Sequence, residues 1–284
     1  IIEPIQHPVL AYNGIYLHIK RDDLLHPVIS GNKWRKLKYT LLHALTEGHE
    51  HLISFGGAYS NHLHALAYVG HKLNLKTTGF IRGEQPIVDN PTLTDLKKWG
   101  MNLEFITRGA FRDLRKYRNH DAEPAKKYNG FWIAEGCANH DALCGVAEIV
   151  KEIELDFDIL TLACGTGTTL AGIAKTLPAS KKVLGFSALK GGGFLEKDIN
   201  KLLHMKGMPN WTVNFDYHFG GFAKTTDELT SFIEEFQSQN NIPLERLYNA
   251  KMLYGLLDLI KNGRFKKDHT IIAIHTGGLQ GDRK

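Results

Sequence analysis

Cysteine is scarce in this chain, which contains only Cys137, Cys144 and Cys164. An odd number of cysteines without a Cys-x-x-Cys pair argues against a disulfide framework and favours a reducing compartment. No apolar run approaches the length that crosses a membrane, and the N-terminus lacks the basic-then-apolar pattern of a signal peptide. These absences predict a cytoplasmic protein without a membrane partner.

A large excess of charge of one sign is also missing, because the 284 residues carry a net charge of only +5. The densest basic run, residues 112–118, is interpreted as the solvated face of a helix, with a nucleic-acid surface as the minor alternative. A mild positive field of this kind favours a small anionic ligand. We therefore expect no nucleic-acid partner, in a chain long enough for two domains.

Two strand–loop–helix units stand out in the apolar pattern. In the first, a strand over residues 51–55 runs through a glycine loop at 56–61 into a helix. In the second, a strand over 157–164 runs through a loop of glycines and threonines at 165–169 into another helix. A later apolar strand, 270–275, also ends beside a glycine pair. Such units predict an α/β fold with parallel sheets, in which ligands bind at the carboxyl ends of the strands.

Several further elements are predicted from periodicity alone. They include a strand at 15–19, a helix over 33–45, one long basic helix over 111–127 and a flexible loop at 191–193. Residues 1–29 are otherwise expected to be an irregular lead-in.

Lys33 is the first candidate for chemistry. A Gly-Asn turn precedes it, so the lysine falls in the first turn of the predicted helix. The positive end of the helix dipole and the neighbouring Arg35 and Lys36 would disfavour its charged form, which makes the amine a better nucleophile. The alternative is one of several solvated charges on an exposed helix, and this stretch alone favours that alternative.

The loop at 165–169 is predicted to bind an anion, because glycines, hydroxyls and free helix-start amides favour a phosphate. It lacks the Walker pattern and a complete G-x-G-x-x-G, so a single phosphate fits better than ATP or a dinucleotide. No lysine stands in the loop, and binding is expected to depend on neutral donors. The alternative is a tight turn without a ligand. Ser60 and Asn61 also have a plain interpretation, as the N-cap of the next helix.

Taken together, the motifs resemble those of the pyridoxal-phosphate family of 1-aminocyclopropane-1-carboxylate deaminases and D-cysteine desulfhydrases. The matching segments are Lys20-Arg21-Asp22-Asp23, Gly31-Asn32-Lys33-x-Arg35-Lys36-Leu37, Gly56-Gly57-Ala58-Tyr59-Ser60-Asn61-His62, the 165–169 loop, Leu247-Tyr248-x-x-Lys251 and Ile274-His275-Thr276-Gly277-Gly278. The resemblance covers nearly the whole chain. It implies the tryptophan-synthase-β-like fold (fold type II), with two open twisted sheet domains and flanking helices. The expected division is a large domain of residues 1–42 and 149–284 and a small domain of residues 43–148.

The resemblance also implies roles for individual residues. Lys33 would bind pyridoxal 5'-phosphate covalently, Asn61 would contact its ring hydroxyl, and Ser60 and Tyr248 would assist catalysis. The phosphate would be held by Gly165, Thr166, Gly167, Thr168 and Thr169. Asn249 and Thr276 are the candidates for the ring nitrogen, with Thr276 preferred because it ends a buried strand. Both side chains are neutral, so neither would hold a proton on that nitrogen.

Two departures from the family pattern bear on the substrate. Deaminases of the family have a glutamate directly after the active-site tyrosine, where this chain has Asn249, and a second tyrosine that is missing from the segment 219–222. Tyr217 lies nearby in sequence without a clear match. His62 and Thr276 resemble the desulfhydrase branch instead.

The prediction is therefore a cytoplasmic, homodimeric lyase that acts on a small amino acid by α,β-elimination and gives a 2-oxo acid and ammonia. The alternative enzyme is a 1-aminocyclopropane-1-carboxylate deaminase, and the alternative of another class is a binding protein without turnover. A metal hydrolase is the least supported. The pair His62/His64 and the triplet Cys137/His140/Cys144 lack standard metal spacing, so no metal site is predicted.

Overall fold

Two mainly parallel sheets organise the chain in the computed structural model, which describes residues 1–204 and 210–283. The larger sheet has the order β1-β2-β10-β7-β8-β9, in which only β1 pairs antiparallel. Its strands are β1 (Ile2–Pro4), β2 (Tyr16–Lys20), β7 (Ile159–Cys164), β8 (Lys182–Ser187), β9 (Trp211–Asn214) and β10 (Thr270–Ile274). The smaller sheet, of order β5-β4-β3-β6, is parallel throughout. Its strands are β3 (His51–Gly56), β4 (Lys76–Arg82), β5 (Asn102–Ile106) and β6 (Phe131–Trp132).

Helices connect the strands and cover the sheets. They are α1 (Pro8–Asn13), α2 (Asn32–Thr46), α3 (Asn61–Leu73), α4 (Pro91–Lys98), α5 (Arg108–Leu114), α6 (Glu123–Lys126), α7 (His140–Lys151), α8 (Thr168–Thr176), α9 (Phe194–Leu203), α10 (Asp227–Asn240) and α11 (Asn249–Lys261). None of the helices within 1–204 and 210–283 combines the length and the apolar character needed to cross a membrane.

The cores of the sheets have the apolar composition that the sequence predicts. In β10, residues 271–274 are fully buried, as expected for a central strand covered on both faces. On α2, the buried face of Leu37, Leu41 and Ala44 belongs to the core of the smaller sheet, while the helix also packs closely against α7. The fold is therefore α/β, as predicted. The domain division at residues 42 and 149 stays a prediction.

The predicted long helix over 111–127 is wrong. The structure has α5 and α6 there, separated by a loop at residues 115–122. Pro124 stands at the start of α6, where its ring favours a new helix and disfavours a continuous one. The loop carbonyls pair with the neighbouring strand instead: Trp132 donates from its backbone N–H to His120 O (2.8 Å) and from Nε1 to Tyr117 O (3.2 Å).

Four short elements were not predicted: β1, α1, α9 and β9. The first two lie in the segment expected to be an irregular lead-in. The glycines at 191–193, expected to mark a flexible loop, form a turn that leads directly into α9. The predicted strands at 15–19, 51–55, 157–164 and 270–275 and the predicted helix over 33–45 agree with the structure to within two residues at each end.

Candidate active site

A cavity of about 390 Å³ opens where the loops after β3, β7 and β10 meet the first turn of α2. Most of the predicted site residues line it, namely Lys33, Ser60, Asn61, Gly165, Thr166, Gly167, Thr169, Tyr248 and Thr276. Thr168 and Asn249 are buried directly behind this lining. The structure thus brings residues from distant parts of the sequence to the carboxyl ends of parallel strands, where ligands bind in α/β folds.

Gly31 sets the position of Lys33 in the cavity. Its backbone is left-handed (φ 64°), and a side chain there would lie 2.0 Å from the carbonyl oxygen of Thr276. This close approach lets Asn32 N–H donate to Thr276 O (3.2 Å). Only glycine permits both features, and they fix the start of α2 against the loop after β10.

The motif at residues 20–23 anchors the same helix. The carboxylate of Asp22 accepts bonds from Arg35 Nε (2.6 Å), Arg35 Nη2 (3.0 Å) and Lys20 Nζ (2.7 Å). Glu152 on the edge of α7 bridges the same two basic residues. The backbone carbonyl of Asp22 accepts from Gly31 N–H (2.9 Å). The motif therefore serves to position α2 and does not itself reach the cavity.

The amine of Lys33 is enclosed beside Asn32, to whose side-chain oxygen it donates. Burial, and secondly the charge of Lys36, lower the pKa of Lys33 to about 7, while Glu245 and Cys137 oppose the change. About half of these amines are then neutral at pH 7, against fewer than about one in a thousand at the ordinary lysine value. A perturbed Lys33 was predicted, but burial is the main cause. Arg35 contributes little because its charge is neutralised by Asp22 and Glu152.

Lys36 was missed as a site residue. It lies one turn after Lys33 on the same helix face, and this i, i+3 spacing is the signal that could have revealed it. The side chain is buried yet reaches the cavity, and its amine has no hydrogen-bond or carboxylate partner among the residues that the structure describes. Burial lowers the pKa of Lys36 to about 8. An ammonium in this position is costly without an anion, so the site is built to receive one.

The loop at 165–169 provides the other half of an anion site. Gly167 is the N-cap of α8 in a left-handed conformation (φ 75°), and no side chain caps the helix. Its first-turn amides therefore remain available to a ligand. A side chain at Gly167 would also lie 2.6 Å from Ile199. The hydroxyl of Thr169 accepts from Asn32 Nδ2 (3.0 Å), which links the loop to the turn that carries Lys33.

Ser60 caps a helix and also lies in the cavity wall. It is the N-cap of α3, where its Oγ accepts from Leu63 N–H (3.2 Å), and it also lines the cavity. Its hydroxyl hydrogen remains available. Asn61 follows in the cavity wall and accepts a bond from Gln280 Nε2 through its side-chain oxygen.

His62 lies deeper, within hydrogen-bond distance of Ser54 Oγ (2.8 Å). Burial, with the charges of Lys36 and Lys33, lowers its pKa to about 3. The imidazole is therefore neutral at physiological pH, so His62 adds no positive charge beside the two lysines.

Tyr248 is the candidate proton donor. Its hydroxyl lines the cavity beside the 165–169 loop and has no hydrogen-bond partner in the described part of the chain. Burial and the charges of Glu245 and Glu135 raise its pKa well above the ordinary tyrosine value. The phenol therefore stays protonated and can donate a proton.

Behind Tyr248, a buried carboxylate holds the start of α11. Glu245 accepts from the backbone N–H groups of Leu247, Tyr248 and Asn249 and from Asn249 Nδ2 (2.8 Å). Burial raises the pKa of Glu245 to about 7, and the backbone donors oppose that shift. This carboxylate caps a helix and does not line the cavity.

Asn249 is fully engaged in this network and is 0 % exposed. Its amide nitrogen also donates to Gly277 O (2.9 Å), and its oxygen accepts from the N–H (3.1 Å) and the hydroxyl (3.2 Å) of Thr276. Of the two residues considered for the ring nitrogen, only Thr276 lines the cavity. Asn249 acts through Thr276 by fixing its orientation.

Tyr217 does not reach the cavity. Its hydroxyl donates to Asp258 (2.6 Å), and its ring packs on Gly255 and Phe186. The aromatic that faces Tyr248 is Phe222, with ring centroids 5.9 Å apart. Lys251 fixes the glycine turn before Phe222 by donating to His218 O (3.0 Å) and Gly221 O (2.9 Å). The segment therefore presents an apolar ring to the cavity and no hydroxyl.

The basic run at 112–118 is not simply a solvated helix face, as the sequence had suggested. Arg115 and Arg118 line the cavity together with Arg82 from the end of β4. Arg115 pairs with Glu135 (2.7 Å) and Arg118 with Asp198 (3.6 Å). Arg82 has no carboxylate partner within 1–204 and 210–283, and its guanidinium lies over Phe111, 5.5 Å from the ring centroid. This side of the cavity therefore attracts anionic substrates.

Comparison with known proteins agrees with this geometry. A family described as "Pyridoxal-phosphate dependent enzyme" matches residues 5–277. An Arabidopsis thaliana protein named "Bifunctional D-cysteine desulfhydrase/1-aminocyclopropane-1-carboxylate deaminase, mitochondrial" is 31% identical over 297 residues, which cover 95% of this chain and 74% of the relative.

Solved structures show the same fold. An "ACC deaminase homologue" superposes with a TM-score of 0.82 at 29% identity, covering 100% of this chain and 90% of the other. A hydrogen sulfide-producing enzyme from Fusobacterium nucleatum has a TM-score of 0.72 at 15% identity, covering 99% and 96%. The second likeness concerns the fold alone.

The residues present fit pyridoxal phosphate. A phosphate needs a cation and free amides, which the unpartnered Lys36 and the uncapped start of α8 provide. An aldehyde needs a neutral amine, which Lys33 provides at pH 7. The chain is therefore a pyridoxal-phosphate dependent enzyme of the 1-aminocyclopropane-1-carboxylate deaminase and D-cysteine desulfhydrase family, with the tryptophan-synthase-β-like fold.

Proposed function

We propose that this enzyme catalyses α,β-elimination on a small β-substituted amino acid such as D-cysteine. The substrate loses its α-proton and its β-substituent, and water then releases ammonia and leaves a 2-oxo acid. One observation carries this proposal: Thr276 in the cavity wall and Asn249, which it contacts from behind, are both neutral. The resemblance to the family places a glutamate at the position of Asn249 in the deaminases.

Pyridoxal phosphate, when bound, withdraws electrons from the α-carbon of the substrate. Lys33 would hold the cofactor, with Lys36, Gly165, Thr166, Gly167 and Thr169 around its phosphate. Thr168 would support this loop from behind, since its Oγ lies 3.0 Å from Thr166 Oγ. We propose that Asn61 contacts the ring hydroxyl of the cofactor and that Thr276 lies beside the ring nitrogen.

Proton transfer is proposed for two side chains, and binding of the substrate carboxylate for a third. Lys33 Nζ, half neutral at pH 7, accepts the proton from the α-carbon. Tyr248 Oη is protonated and free to donate a proton to the departing β-substituent. Ser60 Oγ retains its hydrogen while it caps α3, so it can hold the substrate carboxylate. A neutral inner wall gives no charge that would retain a proton on the cofactor ring, which favours rapid elimination.

The second candidate is opening of the cyclopropane ring of 1-aminocyclopropane-1-carboxylate, an activity named for the Arabidopsis relative. Two side chains that the family resemblance associates with that reaction are absent: Asn249 replaces the glutamate, and Phe222 brings no hydroxyl to the cavity. This comparison favours elimination over ring opening.

The experiment is a comparison of kcat/KM for D-cysteine, L-cysteine and 1-aminocyclopropane-1-carboxylate with the cofactor-loaded enzyme. We expect hydrosulfide release from one cysteine enantiomer to exceed 2-oxobutanoate formation by at least about tenfold. Comparable efficiencies, or a preference for the cyclopropane, would favour the second candidate. Tyr248→Phe should reduce the elimination, whereas Tyr217→Phe, whose hydroxyl lies outside the cavity, should leave it nearly unchanged.

We further propose that the enzyme is a cytoplasmic homodimer without nucleic-acid or membrane partners. Light scattering on the purified protein tests the dimer. Arg115 and Arg118, two residues of the basic run that could have indicated nucleic acid, line the cavity, which favours a small anionic substrate.

A further inference from the structure

A cluster of histidines surrounds one carboxylate at the far end of α2. His43 and Glu47 are four residues apart and so share one face of the helix end. His120, from the loop at 115–122, approaches the same carboxylate from the other side. His43 Nε2 lies 3.3 Å from Glu47 Oε1, and His120 Nε2 lies 3.5 Å from Glu47 Oε2. One ligand atom from each of the three residues can be chosen so that all lie within 4.8 Å of one another.

These distances match those between the ligands of a metal ion. Zinc–nitrogen and zinc–oxygen bonds of about 2.0–2.2 Å in a tetrahedral arrangement place neighbouring ligand atoms about 3.3–3.5 Å apart. Each imidazole already has this spacing to one oxygen of Glu47, His43 to Oε1 and His120 to Oε2. Two imidazoles and one carboxylate are, in addition, a ligand set that zinc uses when one position remains open.

A second carboxylate orients the first ligand. Asp141 Oδ2 lies 2.8 Å from His43 Nδ1, so His43 donates its N–H to Asp141 and turns the lone pair of Nε2 towards Glu47. This carboxylate–histidine arrangement is the usual support of a metal-binding imidazole. An ion pair between His43 and Glu47 alone would not require it.

The surroundings also favour a preformed site. The ring of His120 stacks on Phe131 with centroids 5.1 Å apart, and His43 meets the edge of the same ring at 5.3 Å. His49 Nε2 lies 3.6 Å from Glu47 Oε2, so a third imidazole is close to the same carboxylate. The cluster thus packs against an aromatic ring that restrains two of its three ligands.

We propose that His43, Glu47 and His120 bind a divalent transition-metal ion, zinc being the ion that their chemistry favours. The site joins the end of α2 to the loop at 115–122. That loop carries Arg115, Tyr117 and Arg118, which line the active-site cavity. The ion therefore fixes one wall of the cavity without taking part in the reaction.

The sequence alone predicted no metal site, and two of the histidines weighed there have other partners. His62 bonds Ser54, and His64 lies 3.0 Å from Asp95. The ligands of the proposed site are 73 residues apart between Glu47 and His120, so no short motif could reveal them.

The test is a zinc titration by calorimetry of the cofactor-loaded enzyme after treatment with a chelator. We expect one zinc ion per chain in the wild type. Glu47→Gln and His120→Asn should each weaken zinc binding by at least about tenfold, and Asp141→Asn by about tenfold, the lower end of the range for supporting carboxylates. His71→Asn, at an exposed histidine on α3, is the matched control and should bind zinc as the wild type does.

Cobalt provides an independent spectroscopic signature. Co²⁺ in the wild type should give the intense visible ligand-field bands of a four-coordinate site, and Glu47→Gln should abolish them. Hydrogen exchange at residues 115–122 should slow when zinc is added to the wild type and remain unchanged in Glu47→Gln. Zinc binding of equal strength in the wild type, Glu47→Gln and His120→Asn would overturn the proposal, as would no saturable binding in the wild type.

Discussion

Arg35 and Lys36 are neighbours on the same helix, yet within the part of the chain that the structure describes the guanidinium of Arg35 is paired with carboxylates and the amine of Lys36 is not. Arg35 is bonded by the carboxylates of Asp22 and Glu152, which keeps it charged and fixes α2 in place. Lys36 is buried in the cavity wall without a partner among the described residues, and Lys33 has only the neutral side chain of Asn32. The difference teaches that paired charges in this helix position it, whereas unpaired ones are available to a ligand and to chemistry.

Removing the amine of Lys33 should have the largest effect on activity. Lys33→Ala should lower kcat/KM by at least about 10²–10⁴-fold, because proton transfer alone has this value. It should also abolish covalent attachment of the cofactor. Borohydride reduction followed by peptide mapping should find the pyridoxyl group on Lys33 in the wild type. Lys38→Ala, on the exposed side of the same helix, is the control and should keep both properties. A pyridoxyl group on Lys36 or Lys251 would contradict the assignment.

Neutralising Lys36 tests the second unpaired charge. Lys36→Gln should weaken binding of pyridoxal phosphate by about 10- to 150-fold, which corresponds to about 1.5–3 kcal/mol for a hydrogen bond to a charged group. The protein should not lose stability, since a buried charge without a partner is removed. Titration with pyridoxal, which lacks the phosphate, is the control and should show little difference between variant and wild type. An equal loss for both ligands would show that Lys36 does not contact the phosphate.

Removing the paired charge of Arg35 should lower the stability of the protein and leave its affinity for the cofactor nearly unchanged. Arg35→Gln leaves the buried carboxylate of Asp22 with only Lys20, so the free energy of unfolding should fall by about 3 kcal/mol. Urea unfolding of the cofactor-free protein measures this loss. The affinity of the folded fraction for pyridoxal phosphate should remain within about threefold of the wild type. A large loss of affinity without a loss of stability would contradict the division of roles.

The smallest expected effect is on the free energy of unfolding at acid pH. Arg35 and Lys20 outweigh burial and lower the pKa of Glu152 from 4.5 to about 2. A carboxyl with a lowered pKa stabilises the fold above its unfolded value and loses this contribution as the pH falls from about 4.5 through about 2. Because the side chain of Glu152 is 45% exposed, the effect should be modest. Glu152→Gln should flatten this part of the unfolding free energy against pH. Glu154→Gln, at a neighbouring exposed carboxylate outside the helix, is the control.

The sequence predicted the strand–loop–helix units and the loops that meet at the cavity, because these depend on local apolar patterns and glycines. It also placed Lys33 correctly in a first helical turn. The break in the predicted helix at 111–127 has one signal in the sequence, Pro124, which disfavours a continuous helix. The bonds from Trp132 to the Tyr117 and His120 carbonyls could not be predicted, because they depend on tertiary contacts.

The two glycine loops show a further limit of local patterns. Both precede a helix, and the sequence allowed an interpretation without a ligand for each: an N-cap at Ser60 and Asn61, and a tight turn at 165–169. Ser60 caps α3 with its side chain, whereas Gly167 leaves the amides of α8 free. Lys36, the cation that we propose for the phosphate, comes from a helix more than a hundred residues earlier. Which loop receives the phosphate therefore depends on tertiary contacts that spacing does not encode.

The most direct test of the central claim is the rate of cofactor attachment to the cofactor-free protein as a function of pH. Attachment requires the neutral amine, so the rate should rise with pH around a midpoint of about 7, the pKa of Lys33. In Lys36→Gln the midpoint should move to higher pH, because a positive charge that lowers the pKa is removed. A wild-type midpoint near 10, the ordinary lysine value, would contradict the account, as would a midpoint that Lys36→Gln leaves unchanged.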